Sequence, residues 1–284
     1  MSTRRADFAG SWYPDEPTEC EREIKRFLKE GGGIVSQSGN YRGGIVPHAG
    51  WTFSGSIACN VIQALSEGVA PEVVVVFGMH LHEKSACYIM TGGAWDTPFG
   101  EIQIHETLAE SLVERFNFEI ETARFYNPDN TIELQLPFIK YFFPNTTLLP
   151  IGVPPTHTSL EIGRAAVASA GDLGLTMRVI GSTDLTHYGR NYGFTSQGSG
   201  KRAVDWVKNT NDRHIIDAML AMDPEKVISE GLANKNACCA GAAATAIAAA
   251  KSLGATRALN ATYATSYDKS PGDSFVGYVG MVFE

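Results

Sequence analysis

The sequence predicts an α/β fold, a central and largely parallel sheet flanked by helices. Short β-branched runs bounded by Gly or Pro read as strands covered on both faces, and three are present: Gly43-Gly44-Ile45-Val46-Pro47, Val73-Val74-Val75-Val76-Phe77-Gly78-Met79 and Met177-Arg178-Val179-Ile180-Gly181-Ser182-Thr183. Each run ends in groups able to bind a metal or move a proton: His48, His80, and Asp184 with His187. Ligands of open α/β sheets bind beyond the carboxyl ends of the strands. If the three strands are neighbours, residues about 30 and 100 positions apart in sequence meet on one edge.

The elements follow in order. Thr18 with Glu21 has the form of a capping box, and Cys20, Ile24, Phe27 and Leu28 recur at helical spacing until Gly31-Gly32-Gly33 stops the helix. After the first strand, residues 54–65 read as a helix with Ile57, Val61, Ile62 and Leu65 on one side, completing a βα unit. An extended segment is expected at 86–90, then a turn-rich stretch containing Gly92, Gly93, Pro98 and Gly100. Helices are expected at 106–116, 132–142, 160–173 and 202–222, and further strands at 147–153, 177–181, 259–265 and 275–283. No repeat or biased linker divides the chain, so residues 1–284 are read as one domain.

Composition narrows the function. With 284 residues, 44% hydrophobic and 19% charged, the chain has the make-up of an ordinary folded enzyme-sized protein. Its net charge of −8, without a basic run, argues against nucleic acid. The stretch 237–250 is mostly alanine and too short to span a bilayer, and no apolar run follows Arg4 and Arg5, so neither a membrane span nor a signal peptide is expected. The expected location is the cytoplasm. Five scattered cysteines without metal-finger spacing fit reduced thiols better than a disulfide framework.

His48 sits in Pro47-His48-Ala49-Gly50-Trp51, where small residues leave room around the imidazole and Trp51 is placed to wall a pocket. A lone loop histidine is commonly a surface residue, but His80 and His187 occupy equivalent strand ends. Two neutral imidazoles and a third ligand make an open metal site. The best third ligand is Cys239, at the start of the alanine-rich helix that follows, where the dipole and free N–H groups favour a thiolate. A small buried hydrophobe is the competing role for that cysteine. Glu133 is the alternative ligand, and His82, two residues past a strand end, is the weaker histidine. Asp184 and His187, three residues apart, suit an acid/base pair or a carboxylate that orients a ligand; a turn-capping Asp is the plainer alternative. Gly198-Ser199-Gly200-Lys201 lacks the leading glycine and following Ser or Thr of a phosphate loop. Ser182, Asp184 and His187 are too close in sequence, and lack the G-x-S-x-G elbow, for a serine hydrolase.

These motifs, with Ala9-Gly10-Ser11-Trp12-Tyr13-Pro14 near the start, resemble the Memo family, whose prokaryotic members are called AmmeMemoRadiSam system protein B. The resemblance covers nearly the whole chain and implies a fold like that of the class III extradiol dioxygenases. It also implies metal ligands at His48, His80 and Cys239, with Asp184 and His187 beside them as catalytic residues and Cys238 the lesser partner. Asp129-Asn130-Thr131 departs from the family's usual Glu-His-Ser, and Gln135 stands where some members carry His. The implied function is metal-dependent redox chemistry, with iron or copper and dioxygen, on a small molecule or modified side chain; zinc is the other metal that suits imidazole and thiolate. The alternatives are an adaptor with an enzyme-like pocket, binding a small-molecule or peptide ligand, and a metal-assisted or cysteine-based hydrolase. Family context further implies a functional link to a radical SAM protein and to AmmeMemoRadiSam system protein A. Of the two adjacent thiols, Cys239 is expected to have the lower pKa.

Overall fold

The computed structural model describes residues 2–31 and 40–284. The valine run forms the strand Val73–Gly78, every residue of it buried. Its side chains alternate: Val73, Val75 and Phe77 join the apolar cluster on one face of the sheet, Val74 and Val76 the cluster on the other. Apolar layers on both sides explain why the strand is continuously β-branched rather than alternating with polar residues.

One large sheet runs through the molecule in the order His187–Tyr188, Phe275–Phe283, Gly43–Val46, Met177–Ser182, Val73–Gly78, Thr147–Gly152, Cys87–Met90 and Phe118–Glu121, with Ala258–Thr265 paired to Phe275–Phe283. The four central strands are parallel. The flanks are mixed: Phe275–Phe283 runs antiparallel to its three partners, and Cys87–Met90 antiparallel to Thr147–Gly152. The short link from Thr265 to Phe275 permits only antiparallel pairing, because a parallel connection needs a dozen or more residues. The fold is thus α/β with a mixed sheet, parallel where it carries the site. Thr3–Arg4, Ala94–Trp95 and Ile102–Gln103 form a separate small sheet.

Helices cover both faces. The amphipathic helix Pro17–Gly31 buries Cys20, Ile24 and Phe27 and packs against Ser56–Leu65. It begins at Pro17, so Thr18 lies inside the first turn and does not cap it; proline at the first helical position gives up an N–H that the helix leaves unpaired anyway. Gly32 and Gly33 of the expected stop signal lie outside the described residues. On the opposite face the alanine helix Ala240–Ser252 packs between the strand Met177–Ser182 and the helix His157–Asp172. Approach that close needs small residues: a Cβ on Gly181 would meet Ala242 O at 2.9 Å, and one on Gly163 would meet Thr245 O at 2.8 Å.

The expected helix at 132–142 is divided into Asn130–Glu133 and Leu136–Phe142, and that at 202–222 is Lys201–Trp206 and Asp212–Leu220 joined by a π-helical turn, Val207–Asn211. The helix Pro224–Asn234 and the strand Phe118–Glu121 were not expected. The strand carries two glutamates among its four residues and lies at the sheet edge, where alternating burial is lost.

Candidate metal centre

The strands Gly43–Val46, Met177–Ser182 and Val73–Gly78 are neighbours, with Met177–Ser182 in the middle. Val46 is level with Ser182, and Phe77 with Gly181, so all three carboxyl ends reach the same edge. His48, His80, Cys238 and Cys239 meet there, each offering a ligand atom within 4.8 Å of the others. This group can hold a metal ion.

His48 is buried and its orientation is fixed. Its Nδ1 lies 3.0 Å from Ser182 Oγ, and the Ser182 hydroxyl donates to Thr131 O at 2.6 Å. Because the single serine proton is committed to a carbonyl, the ring must donate from Nδ1, and in the neutral imidazole Nε2 keeps its lone pair. Nε2 is 3.2 Å from Cys238 Sγ. The His48 N–H donates to Asp184 Oδ1 at 2.8 Å, and Asn130 and Gln135 donate to the carbonyls of His48 and Pro47. Asn130, the middle residue of the Asp129-Asn130-Thr131 segment, therefore braces the His48 loop and also lines the cavity.

His80 is exposed, and its ring stands edge-on to His48 with centroids 4.9 Å apart. Met79 before it takes a left-handed conformation, φ 72°, unusual for a residue with a side chain. The Met79 N–H is held at 2.7 Å by Thr131 Oγ1, whose hydroxyl is held in turn by Asp129. This turn swings the chain off the strand at His80.

The cysteine pair is clamped to the strand end at Asp184. Cys238 N–H donates to Asp184 O at 3.1 Å, Asp184 N–H donates to Cys238 Sγ at 3.3 Å, and Cys239 N–H donates to Thr183 Oγ1 at 3.1 Å. Cys239 is the N-cap residue of Ala240–Ser252, as its place in the sequence suggested. The order of the thiols is the reverse of the expectation. Burial opposes ionisation of Cys238, but the hydrogen bond from Cys239 and the adjacent His48 and His80 bring its thiol well below the usual range. Burial and the neighbouring Cys238 sulfur push Cys239 well above it. Burial alone would lower the His48 pKa; Cys238 and Asp184 outweigh it and raise it to about 9. Burial also raises Asp184, against the pull of His48.

Asp184 and His187 border the same cavity of about 580 Å³ as His48, His80 and Asn130. The carbonyl of Leu185 accepts from His187 Nδ1 at 3.2 Å, which leaves Nε2 as the acceptor of the neutral ring. Trp51 does not wall this cavity. It is buried, stacks on Phe138 at 4.1 Å and donates from Nε1 to Leu134 O, while Trp12 and Phe53 line the opening. Glu133 is also outside the group: one carboxylate oxygen accepts from Phe8 N–H and Tyr13 OH, and burial raises its pKa. His82 is exposed and takes no part. Gly198 and Gly200 form a left-handed turn with Gly198 O bonded to Tyr188 OH, not a phosphate cradle.

A family model described as Memo-like protein matches residues 4–282. A MEMO1 family protein of Pyrococcus furiosus is 32% identical over 291 residues, covering 98% of both chains. Another, of Methanopyrus kandleri, is 32% identical over 288 residues, covering 97% of this chain and 96% of its own. Among solved structures, an uncharacterized Escherichia coli K12 protein matches with a TM-score of 0.48 and 13% identity, over 78% of this chain and 90% of its own, a likeness too distant to carry function. No helix among the described residues is long and apolar enough to cross a membrane. A family model matched over residues 4–282 and two relatives at 32% identity matched over nearly their whole length make this protein a member of the Memo family.

Proposed function

We propose that the protein is a metal-dependent redox enzyme that uses dioxygen on a small molecule or a modified side chain. The observation that carries this reading is the mixed donor set, two imidazoles and two thiols converging at the edge of a parallel sheet beside a cavity of about 580 Å³. Imidazole and thiolate suit transition metals rather than magnesium or calcium, and a cavity of this size suits a small ligand. His48 and His80 would hold the ion together with the cysteine pair. Cys238 offers the sulfur nearest His48 Nε2, and Cys239, the ligand expected from sequence, lies directly behind it. A bound iron or copper would supply one-electron chemistry with dioxygen.

The chain's own groups have separate tasks in this reading. Asp184 fixes the His48 loop through its backbone N–H and sets a carboxylate 4.0 Å from Nε2. His187 donates from Nδ1 to Leu185 O, so Nε2 is the ring nitrogen placed to take a substrate proton. The test is anaerobic metal analysis followed by exposure to oxygen. About one iron or copper per chain, absent in His48→Ala and His80→Ala, and an oxygen-dependent change in its absorption are expected. Asp184→Asn is expected to keep the metal and lose turnover. A folded wild-type protein that takes up neither metal would overturn the reading in favour of a binding protein.

A further inference from the structure

The two adjacent cysteines have a chemistry of their own. Their Sγ atoms are 3.7 Å apart, close enough to share a thiol proton. Two hydrogen bonds, to Asp184 O and Thr183 Oγ1, hold the backbone of the pair, and a third, from Asp184 N–H, holds the Cys238 sulfur, so the strand end fixes this approach. The two sulfurs are unequally placed: Cys238 is half-buried at the metal centre, and Cys239 is buried behind it. Cys20, Cys59 and Cys87 are all buried. Only the outer member of the pair is open to a small reagent, and its neighbour is already within reach of whatever forms there.

We propose that Cys238 and Cys239 are a second reactive centre, a vicinal dithiol that reduces a hydroperoxide and closes into an intrachain disulfide. In the first step the Cys238 sulfur attacks the peroxide oxygen; the O–O bond breaks, an S–O bond forms, and the departing oxygen leaves as water or an alcohol carrying the thiol proton. In the second step the Cys239 sulfur attacks that of Cys238. The S–S bond forms, the S–O bond breaks, and hydroxide leaves as water with the Cys239 proton. The dithiol loses two electrons and the peroxide gains them. Adjacent Cα atoms are about 3.8 Å apart, shorter than the usual span across a disulfide, so the product is strained and easily reduced again. Oxidation would also remove both thiols from the metal group.

The experiment uses reduced, metal-free full-length protein and hydrogen peroxide, so it stands apart from the metal reading. One equivalent is expected to remove two of the five free thiols and to take two hydrogens from the tryptic peptide that begins after Lys235 and ends at Lys251, which contains both cysteines and no other. Dithiothreitol is expected to restore both. Cys239→Ser is expected to stop at a dimedone-reactive sulfenic acid on Cys238, and Cys238→Ser to give neither product. Full retention of both thiols in folded protein, oxidation at Cys20, Cys59 or Cys87 instead, or disulfide-linked dimers would overturn the proposal.

Discussion

Ser182 decides which nitrogen of His48 is available. Its hydroxyl donates to Thr131 O and can only accept from Nδ1, which turns Nε2 toward the cysteines. Ser182→Ala removes the group that holds the ring in this orientation and leaves the buried Nδ1–H without an acceptor, so metal affinity should fall by about 10–100-fold with about 1–3 kcal/mol of stability lost. Competition against a chelator measures the first and urea unfolding the second; undiminished affinity would show that Ser182 does not orient the ligand. At this scale the histidines and Asp184 were legible, because each follows a strand that the composition marks. The order of the cysteines was not. Position relative to the helix favours Cys239, but the bond from Asp184 N–H and the 3.2 Å approach of His48 Nε2 both fall on Cys238, and these come from segments about 50 and 190 residues away. Brief alkylation of metal-free protein near neutral pH should label Cys238 first; preferential labelling of Cys239 would reverse that order again.

The helix Ala240–Ser252 shows how an element's composition serves the site. Its residues from Ala240 to Ala250 are all buried, and small side chains let it lie close to Met177–Ser182 while the cysteines stand immediately before its first turn. A Cβ on Gly241 would sit 2.5 Å from the Pro154 carbonyl carbon, so the helix start cannot keep its place if one is added. Gly241→Ala should cost about 1–3 kcal/mol and also weaken metal binding, because it displaces the turn next to Cys239. Gly163→Ala, which crowds the middle of the same helix at Thr245, should cost a similar amount and leave metal stoichiometry unchanged. Equal effects on metal in both variants would mean that helix position does not control the cysteine pair. The alanine run announced a helix with a functional start, but its burial on all sides was not legible, since alanine carries no strong periodic signal. The π-helical turn Val207–Asn211 was hidden because it contains neither Gly nor Pro, so no residue in it announces a change in the helix.

At the scale of the whole molecule, the central parallel strands were legible from their β-branched runs, whereas the antiparallel flanks depend on connection lengths and partners that the runs do not specify. Asp212 ties these parts together. It follows the π-helical turn, accepts from Thr186 N–H and Thr186 OH beside His187, and accepts from Tyr263 OH on Ala258–Thr265. Gly277 leaves the space that its carboxylate fills. Burial raises the Asp212 pKa from 3.8 to about 6, against the pull of its hydroxyl and N–H donors. A folded pKa above the unfolded one means that the folded state holds the proton more tightly. The stability this contributes is complete below pH about 4 and is lost as pH rises through about 6. The difference corresponds to about 3 kcal/mol. Asp212→Asn cannot ionise, and its amide can donate to Tyr263 while its oxygen accepts from Thr186. Its stability relative to wild type should therefore rise by about 2–3 kcal/mol between pH 4 and pH 7, most of it below pH 6.5. Urea unfolding of both proteins across this range isolates the residue, because other titrating groups cancel in the difference. A difference that stays constant with pH would mean that Asp212 ionises as readily in the folded chain as in the unfolded one.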